Sequence, residues 1–176
     1  MNTYAIVLYF HKDASRVLAQ GIQKAADLTG SRYMVDVDIP PHVSLGCFLA
    51  DEADGILQLA EKAAADLSSF SLTFDRVNGF APRVLFASPV KDAPLTRANE
   101  QIHQLFSEHF PPADNAYYTP EKWVPHCALA LRLDETQYEK GMAIQTLMPL
   151  PLTAQAQKLA VARCNPYQEL AAWELR

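Results

Sequence analysis

The segment Pro41-His42-Val43-Ser44-Leu45 returns in a similar form in the second half of the chain, as Pro125-His126-Cys127-Ala128-Leu129. The two histidines lie 126 − 42 = 84 residues apart. Both copies have the order proline, histidine, variable residue, small residue, leucine. Each opens an apolar run, HVSLGCFL (42–49) and HCALALRL (126–133), which is typical of a buried strand. The repeat predicts a fold made of two equivalent halves.

Outward from these two strands, the same order of elements is predicted in both halves. In the first half, strands are predicted at 3–10, 42–49 and 71–77, with one helix that stops at Gly30 and another over 56–67. In the second half, strands are predicted at 83–90, 126–133, 152–164 and 167–175, and helices start after Asp92 and Asp134. We therefore divide a single domain, residues 1–176, into half-repeats 1–80 and 81–176.

Strand periodicity predicts which side chains share a face with each histidine. Side chains alternate between the two faces of a strand. His42, Ser44 and Phe48 are therefore predicted on one face of the first motif strand, and His126 and Ala128 on one face of the second. The opposite faces are predicted to pack into the core, through Val43, Leu45, Cys47, Cys127, Leu129 and Leu131. A pseudo-twofold axis between the halves would then point both imidazoles into one cleft.

Two histidines at one cleft suit the opening of a phosphodiester. The reaction needs a base on the attacking oxygen and an acid on the leaving oxygen, and a histidine pKa of about 6.5 keeps both forms available near neutrality. The hydroxyl of Ser44 could donate to a non-bridging phosphate oxygen. Phe48 could stack on a base, as could the aromatic residues before His126. Packing in the core or between the lobes is the stronger expectation for all four side chains: Phe48, Tyr117, Tyr118 and Trp123.

The paired motifs resemble those of the 2H phosphoesterase superfamily, which includes RNA 2′,3′-cyclic phosphodiesterases, 2′-5′ RNA ligases and the cyclic phosphodiesterases of plants and yeast. The segment WVPHCALA (123–130) is especially similar to the second motif of that superfamily. The resemblance extends from the first predicted strand to the last. It implies an α+β, bilobal fold, with two pseudo-symmetric antiparallel sheets and flanking helices around a central cleft. It also implies metal-independent hydrolysis or ligation of 2′,3′-cyclic or 2′-5′ phosphodiesters, with His42 and His126 as the catalytic pair.

One position departs from the superfamily pattern. The second motif should carry serine or threonine where this chain has Ala128. Loss of one such donor costs on the order of 3 kcal/mol, or about a hundredfold in rate. An alternative is therefore a catalytically weakened protein that binds a nucleotide or an RNA end. A third alternative is an interaction domain that has only the fold.

Composition limits the class of partner. The chain has 176 residues, 49% hydrophobic and 20% charged, with a formal net charge of −5. This charge argues against coating long nucleic acids, which requires a broad basic face. A nucleotide or an RNA terminus with a cyclic or 2′-5′ phosphate remains the expected partner. Arg83, Lys122 and Arg163 could steer such a phosphate, but a solvated surface role is favoured for each of them.

Metal, cofactor and membrane roles are not expected. Cys47, Cys127 and Cys164 match no zinc spacing and are interpreted as small buried hydrophobic residues in a reducing cytoplasm. A zinc site built on His42 and His126 is disfavoured because no carboxylate lies at ligand spacing. The remaining histidines are predicted to be structural or on the surface: His11, His103 and His109. We expect a monomer without cofactor, signal peptide or membrane span.

Overall fold

Strands and helices alternate along the chain in a computed structural model that describes residues 1–176. The strands are β1 (Asn2–Phe10), β2 (Val43–Ala50), β3 (Phe70–Phe80), β4 (Val84–Pro89), β5 (Cys127–Ala130), β6 (Leu152–Arg163) and β7 (Gln168–Glu174). The α-helices are α1 (Lys12–Thr29), α2 (Tyr33–Asp36), α3 (Asp54–Asp66), α4 (Ala93–Phe106) and α5 (Glu135–Gly141). Two 3-10 helices cover Asp114–Ala116 and Met142–Thr146. The predicted order of strands is confirmed, whereas α2 and the 3-10 helices had no sequence signal.

The strands form one open antiparallel sheet in the order β2-β1-β6-β3-β4-β5, with β7 paired to β6. The long strand β6 joins the two halves of this sheet. Its residues 152–156 pair with β3, and its residues 156–163 pair with β1. The sheet therefore consists of two four-stranded sections, β2-β1-β6-β7 and β6-β3-β4-β5, which share β6. The predicted α+β class, with antiparallel strands and flanking helices, is confirmed.

Capping residues fix three helix ends, as the sequence predicted. Helix α1 stops at Gly30, whose φ of 75° is the left-handed conformation that glycine tolerates best. The Asp92 side chain accepts a hydrogen bond from the Leu95 N–H at the start of α4. Asp134 and Gln137 form a capping box at the start of α5. No helix combines the length and the apolar character that a membrane span requires.

The first motif strand contains a β-bulge. Gly46 of β2 pairs with Ile6 of β1, and Ser44 pairs with the next residue, Val7, so Leu45 has no partner. One extra residue on one strand reverses the side-chain alternation beyond it. Residues of β2 after Leu45 consequently point to the faces opposite to those that simple alternation predicts.

The second motif strand contains the same bulge at the equivalent position. Ala130 of β5 pairs with Leu85 of β4, and Ala128 pairs with Phe86, which leaves Leu129 unpaired. The two unpaired leucines are 129 − 45 = 84 residues apart, as the two histidines are. The repeat therefore includes a backbone irregularity as well as a sequence motif.

Residues of the second half cover the outer edge of β2. The Ala113 N–H donates to the Cys47 carbonyl at 2.8 Å, and the Leu49 N–H donates to the Pro111 carbonyl at 2.9 Å. The Trp123 indole donates to the Ser44 carbonyl at 3.1 Å. These bonds satisfy backbone groups that would otherwise be an open sheet edge. They also hold the loop before His126 against the strand that follows His42.

Candidate active site

Both motif histidines lie at one cavity. His42 immediately precedes β2, and His126 immediately precedes β5. The cavity has a volume of about 190 Å³, and its walls include His42, His126, Ser44 and Ala128. The structure thus brings together the two histidines and the two small residues of the repeated motifs. A space of this size accommodates a phosphate group and little of the rest of a nucleotide.

Each imidazole makes the same hydrogen bond to the backbone. His42 Nδ1 lies 2.8 Å from the Pro40 carbonyl oxygen, and His126 Nδ1 lies 2.8 Å from the Val124 carbonyl oxygen. Because a carbonyl only accepts, each Nδ1 must carry the proton. The neutral rings therefore have an unprotonated Nε2, which is free to accept a proton from a ligand. The repeated Pro-His pair is the sequence feature that indicates this hydrogen bond. The proline lies between the carbonyl residue and the histidine, and its ring fixes the backbone φ angle there.

Burial sets the protonation of both rings. It lowers the pKa of His42, and the nearby charge of His126 lowers this pKa further, while the hydrogen bond to Pro40 opposes both effects. Burial also lowers the pKa of His126, against the opposing hydrogen bond to Val124. The charge of His126 acts on His42 in this direction because repulsion between two imidazolium ions disfavours double protonation. The two sites therefore favour a state with at most one proton on their Nε2 atoms.

Aromatic neighbours differ between the two histidines. His42 stacks on Tyr167, with ring centroids 6.0 Å apart and planes inclined by 25°. Tyr167 is held in turn by a 2.8 Å hydrogen bond between its hydroxyl and that of Tyr9. The ring of His126 is surrounded instead by Phe80, Phe86 and Tyr118, at centroid distances of 5.1, 5.3 and 6.2 Å. The halves are equivalent in backbone but not in the side chains around each imidazole.

The predicted face of Phe48 is wrong. Phe48 is 0% exposed and stacks on Phe106, in the core beneath α4. The bulge at Leu45 turns Phe48 away from His42 and turns Cys47 into the wall of the cavity. Phe48 is therefore a core residue and cannot contact a substrate.

The equivalent correction applies to the second motif strand. Leu131 was predicted to pack into the core, yet it lines the cavity because of the bulge at Leu129. Cys47 and Leu131 are 131 − 47 = 84 residues apart and occupy equivalent walls. A bulge leaves no reliable mark in a single sequence, so alternation alone assigned both residues to the opposite face.

Several walls of the cavity come from loops and short helices that the motifs did not indicate. These residues lie far apart in the sequence and have no shared pattern: Tyr33, Met34, Ile39, Asp114, Cys164, Asn165 and Tyr167. Asp114 and the next two residues have φ values of 52°, 54° and 59°. Three successive non-glycine residues in the left-handed region cost of order 1–3 kcal/mol each, which surrounding structure must offset. Such backbone is concentrated at binding and catalytic sites.

A second, larger pocket opens beside His126. It has a volume of about 530 Å³ and shares His126, Asp114, Tyr118 and Leu131 with the smaller cavity. Its other walls are mainly aromatic or apolar: Phe80, Val84, Tyr117, Lys122, Trp123 and Val124. Tyr117 is 62% exposed, whereas Trp123 is buried. Among the basic residues considered from the sequence, Lys122 lines this pocket, and Arg83 and Arg163 line neither space.

The other three histidines lie outside the cavity, whereas two of the three cysteines, Cys47 and Cys164, line it. His11 is partly exposed beside Asp13, His109 is exposed, and His103 is buried in α4. All three cysteines are free; Cys47 and Cys127 are buried and Cys164 is half-buried. No group of three or more histidine, cysteine or acidic side chains is arranged to hold a metal ion.

Sequence comparison identifies the family. The family model of the 2′-5′ RNA ligase superfamily matches residues 15–165. The chain belongs to the 2′-5′ RNA ligase superfamily. This match includes both histidine motifs and confirms the resemblance to the 2H phosphoesterases. No sequence among the curated proteins is significantly similar to this member of the superfamily.

Solved structures share the fold of this 2′-5′ RNA ligase superfamily member. TT0787 of Thermus thermophilus is 19% identical, with a TM-score of 0.65 over 99% of this chain and 98% of its own. LigT of E. coli, complexed with 3′-AMP, is 13% identical, with a TM-score of 0.62 over 99% of this chain and 98% of its own. Usb1 of Kluyveromyces marxianus is 11% identical, with a TM-score of 0.53 over 96% of this chain and 97% of its own.

Three imidazoles with lowered pKa values predict an acid-sensitive fold for this superfamily member. Burial lowers the pKa of His42, His103 and His126 from about 6.5. Below that pH the unfolded chain binds protons that the folded chain does not. The stabilisation is therefore fully present above about pH 6.5 and is lost as the pH falls through the lowered pKa values.

Urea unfolding at a series of pH values between about 7.5 and 5 measures this loss. The free energy of unfolding should fall with decreasing pH, and a His42→Asn variant should show a shallower fall. His109→Asn, which changes an exposed ring outside the cavity, is the matched control for the substitution itself. A wild-type slope in His42→Asn would contradict the assignment.

Proposed function

We propose that this protein is a phosphodiesterase that opens 2′,3′-cyclic or 2′-5′ phosphodiesters of nucleotides or RNA ends without a metal ion. The observation that carries the proposal is the matched pair of imidazoles. His42 and His126 each have Nδ1 bonded to a backbone carbonyl, and both line one cavity of phosphate size. Membership of the 2′-5′ RNA ligase superfamily supports the same class of reaction.

In the proposed reaction, the neutral histidine accepts a proton from water through Nε2 as the water oxygen attacks phosphorus. The protonated histidine donates its Nε2 proton to the leaving ribose oxygen as the bond between that oxygen and phosphorus breaks. Ser44 donates a hydrogen bond to a non-bridging oxygen, where negative charge is concentrated. With a 5′-hydroxyl in place of water, the same proton transfers would join two RNA ends.

The larger pocket is proposed to hold the nucleobase. It adjoins the smaller cavity at His126, so a phosphate between the histidines would place an attached nucleoside beside Phe80 and Tyr117. Stacking on aromatic rings contributes about 1–3 kcal/mol per base and tolerates different bases. LigT of E. coli, which has the same fold, has been crystallised with 3′-AMP and with ATP. A nucleotide substrate is consistent with both observations.

A product screen tests the proposal. The substrates are the four nucleoside 2′,3′-cyclic phosphates, ADP-ribose cyclic phosphate and 2′-5′ dinucleotides, each with and without EDTA. At least one should give a single phosphomonoester or nucleotide product, at the same rate with EDTA. The variants His42→Asn and His126→Asn should form it at least about a hundredfold more slowly. Turnover that persists at the wild-type rate in both variants, or that EDTA abolishes, would overturn the proposed chemistry.

The pH dependence of kcat/KM should be bell-shaped, because the reaction needs one neutral and one protonated histidine. Burial lowers the pKa of both free-enzyme imidazoles, so the maximum is expected below about pH 6.5. A bound phosphate anion favours the protonated ring and should shift the kcat profile to higher pH. Initial rates in constant-ionic-strength buffers measure both profiles. A kcat/KM that rises steadily to about pH 9 would contradict this protonation scheme.

Ala128 favours a second candidate, a nucleotide-binding protein of the same superfamily with a weakened site. This protein would bind a 2′,3′-cyclic nucleotide and release it unchanged. Equilibrium binding with no product after hours would support this candidate. Turnover that appears only in Ala128→Ser would identify the missing hydroxyl as the cause.

A further inference from the structure

Ala128, the residue of the second motif that is equivalent to Ser44, has no hydroxyl. A tyrosine from another element lines the same cavity. Ala128 and Tyr33 both contribute to the walls of the space that contains the two histidines. Tyr33 begins the short helix α2, which contacts β5. Because the cavity is small, a residue in its wall lies close to any phosphate bound there.

The guanidinium group of Arg132 contacts Tyr33 in two ways. The guanidinium carbon of Arg132 lies 3.8 Å from the centre of the Tyr33 ring. Arg132 also donates a hydrogen bond to the Tyr33 hydroxyl oxygen at 3.1 Å. Stacking and hydrogen bonding together restrict the ring to one orientation, which reduces the entropy lost when it binds a ligand.

The backbone around this pair is fixed as well. Arg132 has a φ of 60°, the left-handed conformation, which redirects the chain immediately after the cavity residue Leu131. The Ser31 hydroxyl donates to the Leu131 carbonyl at 3.2 Å. The segment that begins α2 is therefore tied to the end of the second motif strand, two residues beyond its bulge.

The hydrogen-bond chemistry leaves the tyrosine proton available. Arginine has donors and no acceptor, so the bond to Arg132 uses a lone pair of the Tyr33 oxygen and not its hydrogen. A hydroxyl that accepts from a cation is also polarised towards donation. The Tyr33 O–H can thus donate to an anion in the cavity.

We propose that Tyr33 supplies the phosphate hydrogen bond that Ala128 cannot make, and that Arg132 positions it. This inference rests on the proposed function for its substrate, a phosphate ester between His42 and His126. It assigns Tyr33 as a catalytic residue, whose hydroxyl would touch the reacting phosphate group. Arg132 lines neither the cavity nor the larger pocket, and it acts through Tyr33.

A double-mutant cycle between Tyr33→Phe and Ala128→Ser tests the proposal. Tyr33→Phe keeps the ring over which Arg132 stacks and removes only the hydroxyl. It should lower kcat on a 2′,3′-cyclic nucleotide by at least about tenfold, the lower end of what a hydrogen bond to a charged group contributes. In the Ala128→Ser background the loss should be clearly smaller, because serine restores an alternative donor. Tyr138→Phe, in α5 and outside the cavity, is the matched control and should match wild type.

Arg132→Gln tests the positioning role. It should lower kcat in the wild-type background and have no further effect in Tyr33→Phe, since its influence passes through the hydroxyl. Equal losses in both backgrounds would show that Arg132 acts in another way. Thermal unfolding of each variant separates these effects from a loss of folded protein.

The affinity for inorganic phosphate, measured by isothermal titration calorimetry, gives a second measurement on the double-mutant cycle between Tyr33→Phe and Ala128→Ser. If the wild-type protein turns over no substrate, the proposed function fails, and the phosphate affinity still reports on Tyr33. Weaker binding in Tyr33→Phe that Ala128→Ser rescues would support the assignment. Unchanged phosphate affinity and unchanged kcat in Tyr33→Phe, or losses that are fully additive with Ala128→Ser, would overturn it.

Discussion

Replacing His126 with asparagine is expected to lower kcat on a 2′,3′-cyclic nucleotide by at least about a hundredfold, and His42→Asn should do the same. The asparagine amide can still donate to the carbonyl that now accepts from Nδ1, at Val124 or Pro40. The substitution therefore removes the proton-transfer atom Nε2 while retaining the local hydrogen bond. Steady-state kinetics with the substrate found by the product screen measures the effect.

The control for both variants is His109→Asn, which changes an exposed histidine outside the cavity and should keep wild-type kcat. The double variant His42→Asn/His126→Asn should be little slower than either single variant, because residues that act as a unit are not additive. A loss below about threefold in either single variant would remove that histidine from the proposed proton transfers.

Replacing Ser44 with alanine is expected to lower kcat by about a hundredfold, the effect of losing one donor to a developing oxyanion. Ser44 is 9% exposed and lines the cavity with both histidines. Its carbonyl accepts the Trp123 indole hydrogen bond, and this contact is unaffected by the side chain. The loss should therefore appear in kcat and not in the free energy of unfolding.

Ser88→Ala is the matched control, because Ser88 is a half-buried serine of β4 outside the cavity. It should leave kcat unchanged. Kinetics and urea unfolding of both serine variants separate the two effects. A Ser44→Ala variant with wild-type kcat, or one that loses activity only in proportion to folded protein, would show that Ser44 holds no phosphate oxygen.

Features that depend on local sequence were predictable. Apolar runs indicated the strands, and capping residues such as Asp92, Asp134 and Gly30 indicated helix ends close to those observed. The repeated Pro-His motif indicated that His42 and His126 occupy equivalent positions. Each of these properties is determined by a few neighbouring residues, so one sequence contains the necessary information.

Features that depend on pairing between distant segments were not predictable. The bulges at Leu45 and Leu129 are defined by the register against β1 and β4, and they reversed the predicted faces of Phe48 and Leu131. The joining of two sheet sections through β6 likewise depends on partners far away in the chain. The alternation of side chains within one strand does not reveal its register or its pairing partners.

The position of Tyr33 in the site also depends on distant segments and was not predictable from the sequence. It lies in a four-residue helix without amphipathic periodicity, and its partner Arg132 is 132 − 33 = 99 residues away. The sequence revealed the absent hydroxyl at Ala128 but contained no indication of which side chain faces that position. Only the folded arrangement suggests where a compensating donor lies.

A crystal structure of the protein with a nucleoside vanadate, whose five-coordinate vanadium resembles phosphorus during displacement, tests most directly whether two imidazoles act on one phosphate. We predict that His42 Nε2 and His126 Nε2 each lie within hydrogen-bond distance of a different oxygen on the same vanadium, at opposite apical positions. A vanadate bound outside this cavity, or one that contacts a single histidine, would contradict the account.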